Sequence, residues 1–232
     1  MRYFLSVLLL SVLSCGIIRA EVPISKKGYF CAKQGAVLHY ERYAPDGKHW
    51  WNQDTKIDST ALGEDGTMNV SFTSTIKSFD VKSPIKGSVS SKAFLRKDGT
   101  VEINIAEAAA TVAKNRYSAF RFKASGGMSS LSPNVKPGDT LEEIHGKVEC
   151  AGMKLSIDYT ERKVLRKEKI TVPAGTFDCI VVQERKVEKA PLIKRDNITL
   201  TWYCLGYGFV RHDSLLPDGS LESSELLVSI GH

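Results

Sequence analysis

Apolar and polar residues alternate along most of the chain, a pattern that predicts β-strands with one buried face. Met68–Phe79 shows it best, because Met68, Val70 and Phe72 alternate with polar residues. The remaining predicted strands are Ala36–Tyr43, His49–Ile57, Ser88–Leu95, Val101–Ile105, Glu142–Cys150, Lys154–Glu161, Lys163–Thr171, Thr176–Lys186, Asn197–Val210, Gly208–Leu215 and Ser220–Ile230. Short turns, such as the Pro-Asp-Gly turn at Pro45–Gly47, join most of them. Such turns favour antiparallel pairing, since parallel neighbours need long crossovers.

The pattern changes once, in the middle of the chain. Ala106–Phe122 is rich in alanine and free of glycine and proline, which predicts a helix. Ser125–Gly138 follows, rich in Ser, Gly and Pro, and is predicted to be a long loop. Loops of this length inside a compact domain are often functional.

The first twenty residues have the composition of a secretory signal. Arg2 precedes the apolar stretch Phe4–Leu13, and Ala20 supplies a small residue at the predicted cleavage site. An alternative is lipidation at Cys15, which follows a weak lipobox-like stretch. We therefore expect an exported protein, periplasmic or associated with the outer membrane, with residues 21–232 as a single domain. No later stretch is apolar and long enough to predict a membrane span.

Four cysteines remain after the predicted cleavage, and an even number in an oxidising compartment favours disulfides. Thr176–Lys186 and Asn197–Val210 are predicted to form a long ribbon around a turn at Ala190 and Pro191. Pairing these arms places Cys179 nearly opposite Cys204, which leaves Cys31 and Cys150 as the second pair by elimination. The alternative is four buried free thiols.

Charge and motifs exclude several classes of function. Cleavage lowers the net charge from +6 to +4, because the leader contains Arg2 and Arg19 and no acidic residue. The basic residues are spread among acidic ones, so no nucleic-acid partner is expected. The five histidines and the cysteines lack metal-ligand spacing, and no Gly-x-Ser-x-Gly elbow or phosphate loop occurs. No cofactor, metal or catalytic residue is predicted. An enzyme that hydrolyses envelope material is therefore the third hypothesis, after two binding functions.

The segments Val172–Cys179 and Thr201–Asp213 resemble a family of exported bacterial proteins of unknown function with a PAGTFDC…WY…GxGxVR ribbon. The resemblance implies a mainly β fold, an antiparallel, strongly curved sheet or open half-barrel, with one helix and a long loop packed in its concavity. It also implies a shape similar to that of periplasmic lipoprotein carriers. The resemblance implies no catalytic residues.

The leading hypothesis is therefore a protein that binds a lipid or other amphiphile in the half-barrel. The helix and the loop supply the predicted groove residues, which are Phe120, Phe122, Met128 and Leu131. The alternative is an envelope interaction module that binds a protein or glycan through Trp50 and Trp51. Adjacent strand residues point to opposite faces, so one of these two rings lies outside a single core.

Three short Asp-Ser/Thr-apolar motifs match an O-glycosylation pattern of some bacterial envelopes. Their acceptor residues are Ser59, Thr140 and Ser214. The same dipeptides are common in turns, so ordinary turn chemistry is the alternative explanation.

Overall fold

The computed structural model describes residues 24–79, 86–116, 121–191 and 193–231 of the 232-residue chain. The predicted signal segment with Cys15 lies outside these residues, as does Phe120. Within the described residues no helix is long and apolar enough to cross a membrane.

Strands dominate the described residues, as predicted. The thirteen strands in these ranges are Val37–Tyr43 (β1), His49–Leu62 (β2), Met68–Ser78 (β3), Lys86–Leu95 (β4), Val101–Asn104 (β5), Lys123–Gly126 (β6), Met128–Leu131 (β7), Ile144–Cys150 (β8), Met153–Val172 (β9), Gly175–Ala190 (β10), Ile193–Cys204 (β11), Gly208–Leu215 (β12) and Leu221–Gly231 (β13). One α-helix, α1 (Ile105–Arg116), and a 3₁₀ turn at Ile24–Lys26 complete the elements of the described chain.

All thirteen strands belong to one antiparallel sheet, in the order β6-β8-β9-β10-β11-β12-β13-β1-β2-β3-β4-β5-β7. The two edge strands, β6 and β7, follow each other in sequence, with only Gly127 between them. The two edges of the sheet therefore meet, and the sheet is a nearly closed barrel. The predicted mainly β, antiparallel, strongly curved fold is confirmed, and the curvature continues beyond a half-barrel.

Gly127 holds the two edges together. Its N–H donates to the carbonyl of His145 on β8 at 2.9 Å, and its carbonyl accepts from the N–H of Ile105 at 2.8 Å. Its φ is +77°, and a Cβ added there would lie 2.7 Å from the Cβ of Ala106. Glycine is required here because the backbones approach too closely for any side chain. We call this junction of Ala106, Gly126, Gly127 and Gly146 the seam.

Helix α1 packs at the seam, where it contacts β4, β6, β7 and β8. Asn104 caps it, since its Oδ1 accepts from the N–H of Glu107 at 3.0 Å. The alanine-rich composition that predicted a helix over Ala106–Phe122 is confirmed as far as Arg116, the last described helical residue.

Two of the predicted boundaries that were wrong have a clear physical reason. The predicted loop Ser125–Gly138 contains part of β6 and all of β7, because these polar segments are held by backbone pairing at the edges of the sheet. The predicted strands Lys154–Glu161 and Lys163–Thr171 form one strand, β9. The apparent break is a bulge, where Glu161 and Arg162 together face Glu184 of β10 and Glu161 has a φ of +53°.

The barrel interior is apolar toward the end where the β2–β3, β4–β5 and β11–β12 turns lie. The largest fully buried side chains there include Leu38, Ile57, Val70, Leu95 and Leu227. Each contributes roughly 1.5–3 kcal/mol through burial.

The segment before β1 covers this apolar end. The carbonyl of Gly28 accepts from the N–H of Gly206 in the β11–β12 turn at 2.7 Å. Tyr29 packs against Tyr203, and the Phe30 ring lies 5.3 Å from that of Phe72. The opposite part of the interior is not filled in this way, and it contains the candidate site.

Candidate functional site

A cavity of about 310 Å³ lies inside the barrel. Its lining comes from strands that are far apart in sequence. The lining residues are Arg42, Gln53, Ile105, Ser129, Ile144, Tyr159, Glu184, Thr201, Tyr203, Phe209, His212 and Glu225.

Strand register explains why the polar residues of this set share one face. Directly paired residues of neighbouring antiparallel strands point the same way. Thr201 pairs with His212, His212 with Glu225, Glu225 with Arg42, and Arg42 with Trp51. These five residues, which we call the polar row, therefore cross β11, β12, β13, β1 and β2 in one line.

Arg42 is held in place by two serines beside the polar row, Ser214 on β12 and Ser223 on β13. Its Nε donates to Ser223 Oγ at 3.0 Å, and its Nη2 donates to Ser214 Oγ at 2.9 Å and Ser223 Oγ at 2.8 Å. Its Nη1 lies 3.4 Å from Glu225 Oε2, and the guanidinium centre lies 4.7 Å from the centroid of the Trp51 ring. The guanidinium is therefore held in place before any ligand arrives.

Glu225 is a buried carboxyl beside this guanidinium. Burial raises the pKa of Glu225, and the charge of Arg42 and a hydrogen bond from Trp51 oppose that rise. The indole Nε1 of Trp51 is itself buried. Glu225 is thus held between a guanidinium and an indole N–H.

His212 is uncharged at neutral pH. Burial and the positive charges of Arg42 and Lys186 lower its pKa from 6.5 to about 3. Its Nδ1 lies 2.9 Å from Thr201 Oγ1. The ring is therefore a neutral hydrogen-bonding group and not a charge.

The β9 bulge supplies the other charged pair of the cavity. Arg162 turns inward there, and its Nε donates to Glu184 Oε1 at 2.6 Å, with both side chains buried. Arg162 Nη1 also donates to the carbonyl of Glu142. Glu184, like Glu225, is thus held by an arginine.

The cavity wall nearest the covered end of the barrel is aromatic. Phe209 stacks on Tyr40 with ring centroids 4.4 Å apart, and the Tyr40 hydroxyl donates to the Phe209 carbonyl at 3.1 Å. Tyr203 contacts Tyr29, 6.3 Å between centroids. The cavity therefore has an apolar wall and a polar wall.

The predicted groove residues lie elsewhere. Met128 is 48% exposed, Phe122 is half-buried, and Leu131 packs in a small cluster with Tyr29 and Val164. None of these three lines the interior cavity. Phe120 falls outside the described residues.

The two adjacent tryptophans occupy different positions. Trp51 belongs to the polar row, against Arg42. Trp50 is half-buried, and its ring centroid lies 6.2 Å from that of Trp51.

All four cysteines of the described chain are buried free thiols, so neither predicted bridge is formed in the structure. Cys179 and Cys204 are nevertheless direct register partners. Cys31 packs in the main core, and Cys150 ends β8.

The three predicted glycosylation acceptors differ in exposure. Ser59 and Thr140 are exposed, whereas Ser214 is buried and binds Arg42. Only the first two are accessible in the folded protein.

Among the described residues no three His, Cys, Asp or Glu side chains are grouped as metal ligands. Arg42, Glu184, His212 and Glu225 were not singled out from the sequence. The signal that could have identified them is a polar residue at a position where strand alternation requires a buried one, as in Ile180, Val182 and then Glu184.

Two solved structures share the fold. A Bacteroides fragilis protein assigned to exported proteins with a YmcC-like fold is 18% identical, with a TM-score of 0.71, and the match covers 89% of this chain and all of the other. A Parabacteroides distasonis protein assigned as a lipoprotein is 17% identical, with a TM-score of 0.69, covering 88% and 99%.

No curated protein matches the sequence. The model of the DUF3108-like family matches residues 33–227, which include every residue that lines the cavity. The chain belongs to the DUF3108-like family.

Proposed function

We propose that this protein is an exported envelope protein that binds one small amphiphile inside its barrel. The observation that carries the proposal is the cavity of about 310 Å³ with an aromatic wall and a polar wall. Ligand sites typically combine an apolar lining with a few fixed polar groups. Phe209 and Tyr203 supply the first, and Arg42, Glu225 and His212 supply the second.

The polar wall is rigid. Arg42 makes three short hydrogen bonds to Ser214 and Ser223, and Arg162 holds Glu184. Side chains that are already ordered lose little conformational entropy when a ligand binds. This arrangement favours a ligand head group whose polar atoms match the fixed positions of these side chains.

The volume limits the size of the ligand. About 310 Å³ is at the low end of the range for small-molecule sites. The cavity suits a head group with a short chain or a ring, rather than both chains of a diacyl lipid.

The proposed location outside the cytoplasm rests on the signal-like first twenty residues. The assignments of the two structural neighbours, one to exported proteins and one to lipoproteins, agree with it. Soluble export to the periplasm and attachment to the outer membrane through Cys15 are the two forms of this proposal.

Binding of the neutral fluorescent amphiphile N-phenyl-1-naphthylamine tests the function. Ser129 lines the cavity, whereas Ser130, the next residue of β7, points to the opposite face of the strand. We expect the wild type and Ser130→Phe to bind the dye and Ser129→Phe to lose most of the affinity. No dye binding by the wild type, or equal binding by both variants, would overturn the proposal.

A further inference from the structure

We propose that the group bound at the polar row is uncharged and rich in hydroxyls, as in a sugar or another polyol. This inference rests on the proposed function, because it names the head group of the ligand in the same cavity. It follows from three features of the polar wall, which are its charge balance, its mixture of donors and acceptors, and its position beside aromatic rings.

The charges at the cavity are already paired. Arg42 lies beside Glu225, Arg162 beside Glu184, and Lys186 Nζ lies 2.8 Å from Glu188 Oε1. A ligand that brings its own charge adds an uncompensated ion beside these buried pairs or must break one of them. Both outcomes carry a large desolvation cost. An uncharged ligand avoids that cost.

The same wall offers both donors and acceptors. Gln53 lines the cavity, and its side-chain amide both donates and accepts hydrogen bonds. Glu184 lines the cavity, and Arg162 donates to its Oε1. The Oε2 of Glu184 is an acceptor that this arginine bond does not use. A hydroxyl group donates and accepts at once, so a polyol matches such a mixed wall.

A neutral imidazole fits this description. His212 sits between Thr201 and Glu225 in the polar row, and Phe209 lies edge-on to it with centroids 6.4 Å apart. An uncharged ring accepts or donates one hydrogen bond without demanding a counter-ion. The row therefore recognises hydroxyl positions and not a net charge.

The aromatic wall supplies the second half of a sugar-binding surface. Tyr203 and Phe209 of this wall both line the cavity. Flat rings pack well against a ligand that has an apolar face and a polar rim. A pyranose ring has such a face, formed by its C–H groups, and its hydroxyls project outward to the polar row.

Three matched probes test the inference by isothermal titration calorimetry at pH 7. They are phenyl β-D-glucoside, phenyl β-D-glucuronide and phenyl 6-amino-6-deoxy-β-D-glucoside, which differ only in having a hydroxyl, a carboxylate or an ammonium at carbon 6. We expect the neutral glucoside to bind at least ten-fold more tightly than either charged probe.

A pair of variants tests the assigned amide. Gln53→Met keeps the length of the side chain and removes the amide group, so we expect three- to ten-fold weaker binding of the glucoside. Asp54→Asn is the matched control, since Asp54 is the next residue on the same strand and is exposed, and its affinity should equal that of the wild type. Thermal unfolding of both variants shows that each is folded.

The outcomes separate the two proposals. If the naphthylamine dye binds but the glucoside fails to bind, or a charged probe binds as tightly, the polyol inference is overturned and the proposed function stands. If the dye also fails to bind the wild type, both are overturned. Equal glucoside affinity in Gln53→Met and Asp54→Asn contradicts the assignment of the Gln53 amide.

Discussion

Cys179 on β10 is the direct register partner of Cys204 on β11, and both thiols are buried. The Cα atoms of residues paired in this way are about 4.5–5.5 Å apart, which is within the range that a disulfide spans. The hydrogen bond from Cys179 lowers the pKa of Cys204, and that bond and burial raise the pKa of Cys179. Cys204 is therefore the thiol better suited to attack an oxidant.

We predict that this pair forms a disulfide under oxidising conditions. Cys179 lines a surface cavity of about 370 Å³ beside Tyr29 and Leu205, which gives small thiol reagents access. The bridge would close a loop of about 25 residues and stabilise the fold by roughly 3 kcal/mol.

Peptide mapping without reductant, after treatment with oxidised glutathione, checks the prediction, and urea unfolding measures the gain. Cys31→Ser is the control and should form the same linked peptide as the wild type. Alkylation of both Cys179 and Cys204 after oxidation would contradict the prediction.

The Arg42–Glu225 pair is predicted to behave as a buried ion pair. Arg42→Met leaves the carboxyl of Glu225 buried without its partner, so we expect a loss of about 3–5 kcal/mol in the free energy of unfolding. Adding Glu225→Gln to the same chain removes that charge and should restore part of the loss. Urea titrations of the single and double variants measure both effects. A double variant as unstable as the sum of the two single variants would show that the residues are not coupled.

The seam is predicted to tolerate no side chain at Gly127. Gly127→Ala strains a backbone with φ of +77° and forces a Cβ within 2.7 Å of Ala106 Cβ. Gly138→Ala is the matched control, since its φ is +97° but a Cβ there meets no atom within 4 Å. The clash should make the first variant less stable than the second by about 1–3 kcal/mol. Equal stabilities in chemical unfolding would mean that the seam does not depend on this close approach.

His212 is predicted to make the fold sensitive to acid. The unfolded chain protonates this residue near pH 6.5, whereas the folded chain holds its pKa at about 3. Between pH 6.5 and about pH 3 the unfolded chain binds a proton at His212 that the folded chain does not. The contribution of His212 to the free energy of unfolding is therefore fully present above pH 6.5 and falls as the pH is lowered. One such proton contributes about 1.4 kcal/mol per pH unit.

Replacing the imidazole by an uncharged amide, His212→Gln, should therefore make the decline between pH 6 and pH 4 shallower. The control is His145→Gln. His145 is exposed, and its bond to Asp158 raises its pKa, so its contribution has the opposite sign. Parallel pH profiles for wild type and His212→Gln, measured by urea unfolding, would refute the assigned shift.

The fold was largely predictable because strand alternation and turn chemistry are local signals. Ile144, Val148 and Cys150 of β8 alternate with exposed residues, and the structure buries each of them. Two features were not local. The bulge at Glu161 resembles a strand break in the sequence, and β6 and β7 are strands only because the edges of the sheet meet at Gly127.

The site was far less predictable. The polar row assembles Thr201, His212, Glu225, Arg42 and Trp51 from five strands, and only their register brings them together. No spacing along the sequence reports that register. The predicted groove residues were instead drawn from the helix and the loop, and the three described ones lie outside the cavity.

Native mass spectrometry of the full-length protein, isolated without detergent from the envelope of its own host, tests the central claim most directly. We predict that the wild type and Ser130→Phe each carry one small neutral amphiphile, released on denaturation, and that Ser129→Phe carries none. A wild-type protein whose mass contains no bound molecule, or an equal load on Ser129→Phe, would contradict a binding site inside the barrel.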